Sequence, residues 1–211
     1  MGIGTNTAKA GKVRLIYKLG GFLAFIMLSY LGIRGYKISV EKMKINGCIE
    51  EISELVRNVQ HAYRSEYNYG TLDYNQAVKM RLIPQKMFKK DGRDALNSFN
   101  GGIDIYYSSL HEKNDDKAFS VSFQGLSANA CRTLLTMPWD EGQNITMIVV
   151  GGFPIAQPSD ILNRVYTMTK QKDVKSFNIF KSDYLSQITT EELNRACSCP
   201  KNTCSVVWKF R

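Results

Sequence analysis

Cysteine is the residue type in this 211-residue chain whose spacing points to chemistry. Four of the five cysteines come late in the chain: Cys131, Cys197, Cys199 and Cys204. A Cys-x-Cys pair followed by a single cysteine lacks the second pair of a zinc site, and His61 and His111 stand alone. We therefore expect disulfides, with a metal site as the alternative. The fifth cysteine, Cys48, follows the apolar side of a helical pattern, which indicates a buried thiol.

Catalytic motifs are missing from the sequence. No G-x-S-x-G, H-E-x-x-H, P-loop or G-x-G-x-x-G pattern occurs. The paired acids Asp115-Asp116 and Glu191-Glu192 suit a solvated loop and the first turn of a helix. We expect no catalytic residue, no metal and no cofactor, so an anchored enzyme is the least supported class.

The net charge of +9 is unevenly distributed. Residues 1–46 carry eight Lys/Arg and one acid, a net +7, whereas residues 47–211 carry 20 Lys/Arg and 18 acids, a net +2. A nearly neutral remainder argues against a nucleic-acid partner. The alternative is a membrane-tethered module that binds DNA through a local cluster made of Lys86, Lys89, Lys90 and Arg93.

One long apolar run, Leu19–Ile33, follows the basic start of the chain. Its 15 residues fall short of the roughly 20 that span a bilayer, but Lys18 and Arg34 can extend along it to the lipid surface. The positive-inside rule then predicts a basic cytoplasmic leader (1–18), a transmembrane helix (19–37) and an extracytoplasmic head (38–211). A cleaved secretory signal is the alternative, although no A-x-A site follows Ile33.

Helical spacing continues after the apolar run. Apolar residues recur at steps of three and four, and we expect five of them to pack against the head: Ile45, Ile49, Ile52, Val56 and Val59. Charged residues, including Glu50, Glu51 and Glu54, are expected on the opposite, solvated side. A single helix over residues 15–66 would join the membrane segment to the head.

Shorter helical and strand-like pieces follow Tyr67. The composition predicts strands at Ile103–Tyr107, Ala118–Phe123, Ile145–Val150, Phe177–Phe180 and Ser205–Phe210. It predicts helices at Tyr74–Arg81, Ala128–Thr136, Asp160–Met168 and Thr190–Cys197. Because the intervening helices are short, we expect an α+β fold in which an antiparallel sheet packs on the long N-terminal helix.

Four segments in one order carry a family resemblance. They are YGTLDYNQAVKMRLIPQKM (Tyr69–Met87), the Asn100–Ile105 turn and strand, AFSVSFQGLSANACRTLL (Ala118–Leu135), and CSVVWKF (Cys204–Phe210). Together, behind an apolar N-terminal segment, they resemble the type IV pilins of the IVb class, which includes bundle-forming and conjugative thin-pilus subunits. The resemblance covers about residues 45–211.

The resemblance implies a structural subunit that leaves the bacterial inner membrane to form a surface filament of identical copies, aided by pilus assembly machinery. A pseudopilin of a secretion apparatus is the alternative within the class. The resemblance also implies a disulfide from Cys131 to the C-terminal region. Cys197 is the expected partner, which leaves Cys199 and Cys204 to pair, and Cys199 is the alternative partner.

One feature departs from the family pattern. Pilins of this class are cut by a membrane peptidase after a glycine and carry a glutamate a few residues later. Here the candidate processing site is Gly20, Gly21 and Phe22, and no acid occurs before Glu41. The resemblance therefore implies either cleavage that leaves an apolar N-terminus or a divergent, unprocessed subunit.

Overall fold

The computed structural model describes residues 6–89, 94–108, 116–139, 144–152, 179–181, 189–199 and 203–211. For residues 6–24, 151–152, 179–181 and 192 it describes the backbone alone. The helix predicted at Asp160–Met168 lies outside the described residues.

The longest element is helix α1, Asn6–Ala62. The chain divides into two compact units, Met1–Met43 and Lys44–Arg211, so α1 contributes to both. The predicted long helix is confirmed. Within the second unit, α1 supplies the apolar stripe that the rest of this unit covers.

A five-stranded antiparallel sheet forms the centre of the second unit. Its strands are β1 (Ile103–Ser108), β2 (Ala118–Leu126), β3 (Ile145–Gly152), β4 (Ile179–Lys181) and β5 (Cys204–Phe210), in the order β1-β2-β5-β3-β4. Every neighbouring pair is antiparallel. The last strand of the chain is therefore inserted in the middle of the sheet, and the expected α+β class with an antiparallel sheet is confirmed.

Short helices connect the strands and follow their local signals. They are α2 (Tyr74–Lys79), a 3₁₀ turn (Gln85–Met87), α3 (Ala128–Thr136) and α4 (Thr190–Ala196). The Asp73 carboxylate accepts a hydrogen bond from the Gln76 backbone N–H, and the Ser127 hydroxyl accepts one from that of Ala130. These side chains cap α2 and α3 and fix where each begins.

The core lies between α1 and one face of the sheet. Trp208 of β5 is fully buried and meets the rings of Phe123 and Trp139 edge-on, with centroids 5.8 Å away in both pairs. Phe119 stacks on Phe210 at 5.2 Å. Each buried ring removes much apolar area from water, so these aromatic residues dominate the packing of the inner face.

Candidate assembly surface and the head that supports it

The first unit presents an apolar helical surface. From residue 25 onward its large apolar side chains are exposed: Phe25, Ile26, Met27, Leu28, Tyr30, Leu31, Ile33, Tyr36, Ile38 and Met43. Phe25 is 68% exposed and Met27 is 71% exposed. Four consecutive residues, 25–28, are apolar, and successive residues point about 100° apart around a helix. The segment is thus apolar on every side, which is the pattern of a helix that neighbours surround.

The Ser29 hydroxyl in this segment is internally satisfied. The Ser29 hydroxyl donates a hydrogen bond to the Phe25 carbonyl at 2.8 Å, which makes the serine compatible with apolar surroundings. Where the apolar run ends, the Arg34 guanidinium lies 5.5 Å from the centroid of the Tyr30 ring. Within the part of the chain that the structure describes, no helix has a stretch both long and apolar enough to cross a membrane.

The candidate processing residues Gly20, Gly21 and Phe22 lie within the helical backbone of α1. Their side-chain surroundings are outside what the structure describes, so this site stays a prediction. The leader, membrane and head boundaries at residues 18 and 37 likewise stay predictions.

The predicted packing residues of α1 lie on the side that faces the core. Ile45, Ile52, Val56 and Val59 are buried, and Ile49 is half-buried against the same cluster. Cys48 and Leu55, on the same stripe, are fully buried. Burial, with the Glu51 charge nearby, raises the pKa of the Cys48 thiol to about 12, so this thiol stays protonated and unreactive.

Glu51 corrects the sequence prediction, which assigned it to the solvated side of α1. Its side chain is only 6% exposed and accepts hydrogen bonds from the Ser98 backbone N–H at 3.0 Å and the Ser98 hydroxyl at 2.6 Å. A Cβ at Gly47, one turn earlier, would collide with the Ser98 hydroxyl. Glycine at this position therefore lets the 97–101 turn approach α1 closely enough to bury the carboxylate.

The 97–101 turn has its own internal support. The Asn97 side chain accepts hydrogen bonds from the backbone N–H groups of Phe99 and Gly101 and donates one to the Gln124 carbonyl. Asn100 adopts a positive φ of 61°, and a Cβ at Gly101 would collide with the Gln124 carbonyl. The turn is thus fixed to β2 on one side and to α1 on the other.

Two disulfides tie the C-terminal region to this framework. Cys131 of α3 is bonded to Cys197, immediately after α4, with Cα atoms 5.8 Å apart. Cys199 is bonded to Cys204, the first residue of β5, with Cα atoms 5.2 Å apart. The first bridge closes a long loop across the sheet, and the second fixes the turn that leads into the central strand. Of the two pairings that the sequence left open, the structure contains the one through Cys197.

Sites for other chemistry are not evident in the described residues. No group of three or more His, Cys, Asp or Glu side chains among them is arranged to hold a metal ion. In the basic cluster proposed for DNA, Lys86 lies 3.1 Å from a Glu54 oxygen and Lys89 lies 3.8 Å from an Asp94 oxygen. These two lysines are therefore partly neutralised, and Lys90 and Arg93 lie outside the described residues.

The arrangement of α1, the central β5 and the bridge to the C-terminal region can be compared with known proteins. The model of the PilS N-terminal family matches residues 42–209, which is most of the chain. This chain belongs to that family. The sequence resemblance to the type IVb pilins is thereby confirmed.

A solved pilin structure shares the fold. The chain is similar to TcpA, a type IV pilin from Vibrio cholerae El Tor biotype, at 19% identity and a TM-score of 0.54, over 80% of this chain and 99% of TcpA. It is also similar to the type IVb pilin from Salmonella typhi at 12% identity and a TM-score of 0.46, over 77% of this chain and 98% of that one. A search of curated protein sequences finds no match. At 19% identity the likeness to TcpA supports the pilin fold and nothing finer.

Sequence reasoning missed one buried feature of this pilin, the Glu51–Ser98 contact. Glu51 lies in sequence between Glu50 and Glu54, which indicates a solvated face. Its partner Ser98 lies 47 residues later in the chain, so no local pattern indicates the contact. A usable signal was present in Gly47, since a glycine in a helix interior costs about 1 kcal/mol and usually has a packing reason.

Proposed function

We propose that the chain is a structural subunit of a type IVb-like pilus that assembles through its N-terminal helix into an extracellular filament for adhesion, aggregation or conjugation. The observation that carries this proposal is the helix apolar on every side at residues 25–28, in a chain whose other unit has the pilin fold. Such a surface is far larger than a soluble monomer normally exposes. Copies of the same helix are the partners that a filament supplies.

The mechanism of assembly follows from the environment that this helix needs. Before assembly, lipid surrounds it in the inner membrane, with the basic leader in the cytoplasm and the head outside. After assembly, the apolar helices of neighbouring copies replace the lipid, so apolar area stays out of water throughout. The short span is extended when Arg34 directs its charge to the lipid surface. The Tyr30 ring beside Arg34 supports this, since tyrosine favours the membrane interface.

Processing is part of the same proposal. A prepilin peptidase cutting at Gly20 or Gly21 would remove the basic leader, which has no place in an apolar filament interior. Mass spectrometry of protein extracted from membranes tests this step directly. An N-terminus at Gly21 or Phe22 supports processing, whereas an intact Met1 identifies a subunit that keeps its leader.

The function itself is tested in cells that lack this protein. Electron microscopy should show surface filaments only after the chain is restored, and not with Leu28→Lys, which places a charge within the apolar helix. A matched variant, Tyr107→Lys, changes an exposed residue of the second unit and controls for added charge. Filaments unaffected by loss of the protein would exclude the role of major subunit and favour a minor pilin or a pseudopilin.

A further inference from the structure

Glu66 and Tyr67 form an exposed pair just beyond the end of α1. Tyr67 is 82% exposed, the highest value among the large apolar side chains that the structure describes. The Lys117 ammonium lies 5.0 Å from the centroid of its ring and holds the ring in place. Glu66 is also exposed, and in the described part of the chain it forms no ion pair. An oriented aromatic ring beside a carboxylate is well suited to act as an anchor in a protein contact.

A groove in another part of the second unit has the complementary chemistry. It has a volume of about 430 Å³ and is lined by Val78, Arg81, Ile83, Gln85 and Phe88. Three of these side chains are apolar, and the other two supply a guanidinium and an amide. The volume falls in the range of small-ligand pockets, so one aromatic side chain fits within it.

Arg81 gives this groove an unusual feature. It follows α2 with a positive φ of 57°, and its N–H donates to the Val78 carbonyl while the Leu82 N–H donates to that of Ala77. This is the hydrogen-bond pattern of a Schellman helix end, in which glycine normally takes the left-handed position. An arginine there costs stability, and its guanidinium makes no ion pair or hydrogen bond with the described residues.

The charges around the groove favour Arg81 as the group that binds an anion. Lys86 is already paired with Glu50 and Glu54, and Lys89 with Asp94. Arg81 is exposed and unpaired in the described part of the chain, as is Glu66. A strained residue whose charge has no partner among the described residues points to a function in contact with another molecule.

We propose that the groove binds Glu66 and Tyr67 of a second copy of this chain. The Tyr67 ring packs among Val78, Ile83 and Phe88, and the Glu66 carboxylate pairs with Arg81. Neither Glu66 nor Tyr67 lines the groove, so the contact joins two different sets of residues and is heterologous. After one such contact, one copy still has a free groove and the other still has a free ring. Such contacts continue into an open helical array instead of closing as a dimer. This inference deepens the proposed pilus function, because it names a contact between heads that the apolar helix does not make.

Mixed cross-linking of full-length chains tests the contact directly. In a Cys48→Ala background, chains with Ser65→Cys, at an exposed position beside the intact Glu66 and Tyr67, are co-expressed with Gln85→Cys chains. The membrane fraction and any filaments are oxidised and resolved by non-reducing electrophoresis. We expect a mixed dimer from this pair and none when Gln85→Cys is replaced by Asn129→Cys, an exposed position on α3. No mixed dimer, or an equal yield with Asn129→Cys, would overturn the proposal. The result is read whether or not filaments form, so failure of the pilus function is recognised separately by microscopy.

Two further variants separate binding from folding. Tyr67→Ser should raise the subunit concentration needed for assembly by about 30-fold, as for a central interface tyrosine, whereas Tyr107→Ser, at another exposed tyrosine, should leave it unchanged. Arg81→Glu and Glu66→Arg should each reduce the cross-link, and the double variant should restore it. If both single variants reduce the cross-link and the double variant does not restore it, the Glu66–Arg81 pair is contradicted.

Discussion

Glu51 is an ionisable residue held inside the head, and its chemistry predicts how stability depends on pH. Burial raises the pKa of its carboxyl above the usual value, while the hydrogen bonds from Ser98 oppose that rise. The folded chain therefore holds the proton more tightly than the unfolded chain does. The resulting contribution to stability is complete below the unfolded pKa of about 4.3 and is lost as the pH rises through the folded pKa.

Glu51→Gln should remove this dependence. The glutamine carbonyl can accept from the Ser98 N–H, and its amide can donate to the Ser98 hydroxyl, so the turn stays attached without a buried charge. We expect the variant to gain stability relative to the natural chain as the pH rises from about 4 to about 7. Urea unfolding of the full chain in mild detergent measures this. Glu54→Gln, at a partly exposed pair with Lys86, is the control, and a parallel pH dependence in the two glutamine variants would contradict the assignment to Glu51.

Ser122 and Ser127 allow a comparison between two effects on the free energy of unfolding: the cost of an unpaired buried hydroxyl and the benefit of a helix cap. The Ser122 hydroxyl is buried in β2 and has no hydrogen-bond partner in the part of the chain that the structure describes, whereas the Ser127 hydroxyl caps α3. Ser122→Ala should leave the free energy of unfolding unchanged or raise it by about 1 kcal/mol. Ser127→Ala should lower it by about 1 kcal/mol. Chemical denaturation of the two variants compares the same substitution in both sites, and equal losses would contradict the difference.

At the scale of elements, the sequence predicted correctly those helix and strand boundaries that neighbouring residues determine. Helix α3 begins and ends as predicted, at Ala128 and Thr136, because the Ser127 cap fixes its start. β2 extends beyond the predicted Phe123 to Leu126, because Leu126 pairs with Cys204 after a register shift. The predicted α2 was too long, since the chain turns left-handed at Arg81. Each boundary error arises where a partner distant in sequence, or an unfavourable backbone conformation, overrides propensity.

The order of the strands and the cysteine pairing do not follow from local sequence patterns. No local pattern indicates that β5 lies between β2 and β3, because that order depends on which distant strands pair. The family resemblance implied the Cys131 bridge, whereas residue spacing alone left its partner open. The groove beside Arg81 could not be predicted from the sequence either, since it forms only when α2 and the 3₁₀ turn fold back together.

The two disulfides should differ in their effect because they close loops of different length. Cys131 and Cys197 are separated by 66 residues, and Cys199 and Cys204 by 5. In the chain-entropy treatment, loss of the longer bridge costs about 4 kcal/mol and loss of the shorter about 2 kcal/mol. Urea unfolding of the paired Cys→Ser variants should reproduce that order. Cys48→Ser, which breaks no bridge, is the control, and a larger loss from the short bridge would contradict the loop-length account.

At the scale of the whole molecule, the two units have different requirements. The core of the second unit contains the buried residues of α1, beginning with Ile45. It also contains residues of the sheet and of both disulfide regions, and the 97–101 turn packs beside it. The described large side chains of the first unit are instead exposed. Folding of the head thus depends on contacts within Lys44–Arg211, whereas the apolar helix depends on partners outside the chain.

Removal of residues 1–37 should therefore yield a soluble, folded monomer. The deletion removes most of the exposed apolar helix, and among the side chains that the structure describes it removes none from the buried core, because the first of these is Ile45. We expect near-ultraviolet circular dichroism like that of the full chain, since Trp139 and Trp208 stay packed together, and a monomeric mass by ultracentrifugation at low micromolar concentration. An insoluble product, or one without near-ultraviolet signal, would show that the first unit also supports the fold. The monomer also isolates the contact between heads, since association through Glu66, Tyr67 and the groove should then appear only at high concentration.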